Sequence, residues 1–127
     1  QAAGAEVVSM SVEHHDAVLA ATSHLPHLLA YALVDMLARL DDSREIFAYA
    51  AGGFRDFTRI ASSDPVMWRD ISLANRDAIV SMLKKYRAEV DVLIAAVAAG
   101  DGAKLETLFA RAKAARDALV TNDLKRD

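Results

Sequence analysis

DPVMWRDISLANRDAIVSMLKKYRAEVDVLIAAVAAG, residues 64–100, is the stretch on which the fold turns. Asp64 is placed to cap a helix, and Pro65 suits a first helical position, where its missing N–H costs nothing. No further breaker follows until Gly100, a good residue just past a helix end. The pattern predicts one helix over residues 65–99, roughly 50 Å long at ~1.5 Å per residue. Its apolar row reads Trp68, Ile71, Ile79, Met82, Tyr86, Val90, Leu93 and Val97, with Asn75 the only polar residue in register. A domain of this length has an expected radius of gyration of about 14 Å, so such a helix outruns a compact globule. The row needs cover, and a second copy of the chain is the simplest source. The alternative is a last helix that folds back over it.

Working outward, Asp101 can cap that last helix, which runs through about residue 121 with Leu105, Leu108, Phe109, Ala112, Ala115 and Leu119 on one face. Upstream, Ser11 caps a first helix over residues 12–22. Ser23 followed by Pro26 signals a second, continuing through Leu40. Asp41-Asp42-Ser43 breaks it and starts a third over residues 44–51. Gly52-Gly53 interrupts, a short helix follows over residues 54–61, and Ser62-Ser63-Asp64-Pro65 restarts the chain. Residues 1–10 read as a linker or short strand and residues 11–127 as the helical domain. The expected class is all-α, an elongated domain with one very long helix, intertwined as a homodimer.

Composition supports helix and removes other classes. Of 127 residues, 54% are hydrophobic and only 6% aromatic, with five glycines and two prolines, which disfavours a β-sandwich or a disordered tail. The absence of cysteine excludes disulfides, zinc–thiolate sites and thiol nucleophiles. A net charge of −3 offers no general nucleic-acid footprint. The longest purely apolar run, residues 92–99, is far short of the ~20 needed to span a bilayer. No membrane or nucleic-acid partner is expected, no secretory leader is visible, and a cytoplasmic location is expected. The chain starts at Gln1, so it is read as a piece of something longer.

Three features resist a purely structural reading. All four histidines, His14, His15, His24 and His27, fall within fourteen residues, with Asp16 beside them. They could serve as helix-end packing, as hydrogen-bonding groups around a substrate, or as metal ligands. Gly52-Gly53-Phe54-Arg55-Asp56-Phe57-Thr58-Arg59 combines glycines, which admit close backbone approach or positive φ, with arginines, whose planar fork pairs with carboxylates. The bland reading is a broken helix with solvated charges. Asp64-Pro65-x-x-Trp68 with Asn75 places the sole tryptophan where it anchors either an interface or a ligand.

In this order, His15-Asp16, Ser23-His24-Leu25-Pro26-His27, Gly52-Gly53-Phe54-Arg55-Asp56-Phe57-Thr58-Arg59-Ile60-Ala61 and Asp64-Pro65-x-x-Trp68 with Asn75 resemble the C-terminal helical domain of the prephenate/arogenate dehydrogenase family. The resemblance implies a dimerising domain forming one wall of a substrate site, with NAD or NADP held mainly by a separate N-terminal domain and no cofactor in this part. The implied reaction is oxidative decarboxylation on the way to tyrosine, with a small dicarboxylate as substrate. It implies Arg59 as binder of the ring carboxylate and His27 as a hydrogen-bonding residue near the substrate side chain. Gly52 offers backbone at the pocket wall, Arg55 and Asp56 lie close by, and Trp68 reaches in from the neighbouring subunit. Asp16 pairs with Arg59, and His15, His24 and Asn75 are supporting residues. No catalytic base and no metal is expected here.

Two other functions compete. One is a standalone helical dimerisation or regulatory module without catalysis. The other is a metal-dependent hydrolase built on the His–Asp cluster, which would need further ligands although no histidine follows His27.

Overall fold

The computed structural model describes residues 9–126, with side chains described for residues 9–122. The reading of residues 1–10 as a linker or strand falls mostly on residues 1–8, outside the described residues. Every regular element among the described residues is helical: α1 (Val12–Leu19), α2 (Leu25–Ala38), α3 (Ser43–Ala48), α4 (Gly52–Thr58), α5 (Pro65–Ala74), α6 (Arg76–Ala98) and α7 (Gly102–Arg126), with a π-helical turn at Ala20–His24 and a 3-10 turn at Arg59–Ser62. The chain divides into two compact units, Gln1–Lys84 and Lys85–Asp127.

In the first unit the expected break at Ser23 does not occur. Ser11 caps α1 as read, its Oγ accepting from the His14 N–H at 3.1 Å. The helix then passes through the π turn directly into α2, and His24 keeps helical angles (φ −67°, ψ −46°). Pro26 is the physical reason for the irregularity. In a regular α-helix its ring would collide with the carbonyl four residues back and leave that carbonyl without a donor. Widening the turn avoids this, and the Leu25 N–H donates five residues back to the Ala20 carbonyl. Val12–Ala38 thus becomes one run of 27 residues, long and apolar enough by length and composition to cross a membrane. That revises the expectation drawn from short apolar runs, although core helices of globular domains pass the same test. Here the run packs against α3, α4 and the 3-10 turn. Ala20 and Ala30 are fully buried, and their small side chains suit close backbone approach.

The predicted unbroken helix over residues 65–99 is corrected most clearly. Asp64 caps α5 as read, accepting from the Val66 N–H at 3.1 Å, but α5 ends at Ala74. Asn75 leaves the helical region (φ −112°, ψ 36°), and α6 starts afresh at Arg76. There is no 35-residue helix. Trp68 and Ile79, on either side of the break, are both buried. Tyr31 Oη donates to the Ser63 carbonyl at 2.6 Å and fastens α2 to the approach to α5. Helix α3 is shorter than predicted, Ser43 lying inside it and Asp42 making no capping bond. Gly52 and Gly53 do not interrupt a helix; they open α4.

In the second unit, α6 closes in a Schellman motif. Gly100 takes φ +64°, the Asp101 N–H donates to the Ala96 carbonyl at 3.0 Å, and the Gly100 N–H donates to the Val97 carbonyl at 3.1 Å. Asp101 then caps α7, accepting from the Lys104 N–H at 3.0 Å, and α7 extends beyond residue 121 to Arg126. Ala96 is buried, but Ile94, Val97, Phe109 and Leu119 are each more than half exposed. The predicted apolar face of the last helix is therefore only partly covered within the chain: Leu105 and Leu108 are half-buried and the rest are exposed.

Candidate functional site

The first unit gathers Asp16, His24, His27, Trp68 and Asn75. The α1–α2 run supplies the first three, and α5 with its terminal break supplies the other two. His27 stacks on the Trp68 indole with ring centroids 3.8 Å apart and planes 16° from parallel. His24 meets the same indole edge-on at 6.0 Å and 79°. Asn75 ties the group together. Its side-chain amide donates to the Asp16 carbonyl at 2.9 Å and approaches His24 Nδ1 at 3.2 Å.

These contacts fix proton positions. A carbonyl only accepts, so the Asn75 atom facing Asp16 is the amide nitrogen. Its second N–H is then directed at His24 Nδ1, which must carry the lone pair. His27 is the opposite case: its Nδ1 lies 2.9 Å from the Ser23 carbonyl and so carries the hydrogen. Burial pushes the His24 pKa below its usual value. Asp16 acts against that and His27 reinforces it.

Trp68 is 7% exposed, and among the described residues its Nε1–H is a buried donor without a partner. Buried polar groups are nearly always satisfied, so such an orphan asks for an acceptor from elsewhere. The indole also walls a cleft of about 210 Å³ with Leu28, Tyr31, Pro65, Arg69 and Ser72.

The glycine–arginine segment is organised differently. Gly52, Arg55 and Asp56 lie on α4 and Arg59 opens the 3-10 turn, all four exposed. Arg55 Nε reaches back to the Ala50 carbonyl at 3.4 Å, a long bond. The segment packs on α2, the helix that carries His27. Among the described residues no hydrogen bond or ion pair joins it to the His–Trp–Asn group. The predicted Asp16–Arg59 pair does not form. Asp16 lies instead 3.5 Å from exposed His15, its neighbour in sequence, while Arg59 sits on a separate element. Neither Gly52 nor Gly53 has positive φ; among the described residues Gly100 alone does. A Cβ at Gly52 or Gly53 would meet no atom within 4 Å, so backbone there is open to an outside group. Among the described residues no three His, Asp or Glu side chains stand together as a metal site.

Sequence reasoning missed three contributors: Tyr31, the Ser23 carbonyl and the π turn. Proline two residues after His24 in an otherwise helical pattern was the available signal for the turn. Asn75 is legible as the polar exception in an apolar row and as a supporting residue, but its bonds to Asp16 and His24 are not.

An all-helical domain carrying exposed apolar helix faces and two half-buried histidines packed on a buried tryptophan is the class these observations define. A family model described as "Prephenate dehydrogenase, dimerization domain" matches residues 11–111, and the chain belongs to that family. It is 43% identical over 121 residues to a cyclohexadienyl dehydrogenase of Zymomonas mobilis, covering 94% of this chain and 41% of that protein. It is 42% identical over 116 residues to a prephenate dehydrogenase of Bacillus subtilis, covering 91% of this chain and 31% of that one. Among solved structures, prephenate dehydrogenase from Aquifex aeolicus in complex with hydroxyphenyl propionate and NAD+ superposes with a TM-score of 0.83 at 37% identity, covering 90% of this chain and 40% of that one. Synechocystis arogenate dehydrogenase gives 0.86 at 26% identity, covering 91% and 43%. The chain thus spans less than half the length of these relatives.

Proposed function

We propose that this chain serves as the dimerising and substrate-binding part of a cytoplasmic, NAD(P)-dependent dehydrogenase that oxidatively decarboxylates prephenate or arogenate. The family match over residues 11–111 carries the reading. Among the described residues no strand enters a helix through a glycine-rich turn, the arrangement that cradles a dinucleotide pyrophosphate. On the family resemblance, the nicotinamide cofactor, which accepts the hydride when bound, is assigned to another part of the enzyme, and this chain acts by binding and orienting.

Arg59 supplies a permanently charged fork for the ring carboxylate; its exposure leaves the guanidinium available. His27, held by its bond to the Ser23 carbonyl and by stacking on Trp68, is oriented to hydrogen-bond the substrate side chain. Gly52 lets backbone lie against the ligand, with Arg55 and Asp56 nearby. The Trp68 Nε1–H provides a donor for a ligand or neighbouring-subunit acceptor. His15, Asp16, His24 and Asn75 support this arrangement. A homodimer covers the exposed Ile94, Val97, Phe109 and Leu119.

The test is NAD(P)H formation by the enzyme containing this chain, with prephenate and arogenate each paired with NAD and NADP. Turnover of at least one pair is expected; no turnover of any pair by folded, dimeric enzyme contradicts the proposal.

A further inference from the structure

Asn75 does more than end a helix. Its backbone breaks α5 from α6, while both amide hydrogens are directed at acceptors 59 and 51 residues away in sequence, the Asp16 carbonyl and His24 Nδ1. The first acceptor fixes which way the amide points. The second, given that orientation, meets only a donor. A protonated His24 would set its Nδ1–H against the Asn75 N–H, so this geometry admits only the neutral ring. Asparagine suits the position because it offers two donors; leucine would leave two acceptors without partners, and aspartate would offer none.

We propose that Asn75 is a positioning residue that locks His24 as a neutral Nε2–H donor, giving His24 and His27 opposite proton placements on either side of Trp68. His24 presents Nε2–H and no charge. His27 spends its Nδ1–H on Ser23 and in its neutral form keeps the Nε2 lone pair. Among the described residues neither Nε2 has a partner, so both remain for a ligand. Placed in the substrate-binding reading above, on which this role rests, the lock supplies an uncharged donor for a carbonyl or hydroxyl oxygen and leaves carboxylate recognition to arginine. The groups that bear on His24 electrostatically are Asp16, which favours its cation, and His27, which opposes it.

Nitrogen-15 NMR of histidine-labelled protein tests the lock without substrate. The His24 signals, assigned by their loss in His24→Gln, should show Nε2 protonated and Nδ1 bare at neutral pH. A His24 that is Nδ1-protonated, or charged at neutral pH, overturns the proposal. Asn75→Asp replaces a donor with a carboxylate and should invert the tautomer and raise the His24 titration by about 1–3 pH units, the usual reach of an adjacent opposite charge. An unchanged titration in folded Asn75→Asp also overturns it. Should that variant not fold, the wild-type tautomer decides alone. The dehydrogenase reading fails separately, through absent turnover, and a wrong tautomer leaves it standing.

Discussion

Helix α6 lies between two breaks that work by different physics. At Gly100 the chain turns because one residue takes φ +64° and two local backbone bonds close the helix end. At Asn75 no glycine or proline is present. The break is held by a side chain reaching a carbonyl and an imidazole more than 50 residues earlier. The local break connects two helices and nothing more. The long-range break joins the end of α5 to the middle of α1 and to the π turn, and sets the hydrogen bonding of the group around Trp68. Where a helix ends through tertiary contacts, the ending is part of the site.

Substitutions that separate the two kinds of break should differ in more than size. The largest loss is expected at Trp68, on which both histidines pack: Trp68→Ala should cost about 3–5 kcal/mol in urea unfolding. Trp68→Phe, which removes only the orphan N–H and some ring, should cost much less. Equal losses would mean that Nε1 has an acceptor in the assembled protein. Asn75→Ala leaves the Asp16 carbonyl and His24 Nδ1 without a donor and should cost about 1–3 kcal/mol. Gly100→Ala forces an L-residue into the left-handed region at about 1–2 kcal/mol, with no effect on His24 titration. A His24 shift in Gly100→Ala would erase the distinction between the breaks. The smallest effect on folding is expected at Gly52→Ala, within about 0.5 kcal/mol because a Cβ there meets nothing. The same change should still raise KM if backbone at Gly52 lies against substrate.

Acid should also act on one region selectively. Burial holds the His24 pKa below the ordinary histidine value of 6.5, so its contribution to stability is intact above about pH 6.5 and falls as pH drops toward the folded pKa. Thermal melts of wild type should lose stability over that window, and His24→Gln should lose less.

The same contrast explains what was legible in the sequence. Ser11, Asp64, Asp101 and Gly100 act within four residues of themselves, and each caps or ends a helix as read. Pro26 was read as a helix start because that is its usual place. Here the π turn absorbs it inside a continuous helix, the Leu25 N–H donating five residues back to the Ala20 carbonyl. The break at Asn75 was invisible because its partners lie far upstream. Residue types in the site were legible through the resemblance. Their grouping was not: Asp16 was expected on Arg59 and lies beside His15, and Asn75, expected only to support, holds His24. Ile94, Val97, Phe109 and Leu119 are exposed in the single chain, while Trp68 and Ile79 of the predicted apolar row are buried within it, and the single long helix that motivated a second copy does not exist.

The most direct test of the account is the carboxylate clamp. Steady-state kinetics of Arg59→Ala, in the enzyme containing this chain and with its preferred dicarboxylate substrate, should show kcat/KM reduced by roughly 30- to 1,000-fold, the scale of ~2–4 kcal/mol for a lost charge-assisted contact in a binding site, with an unchanged melting temperature. Kinetics within a factor of two of wild type would contradict it.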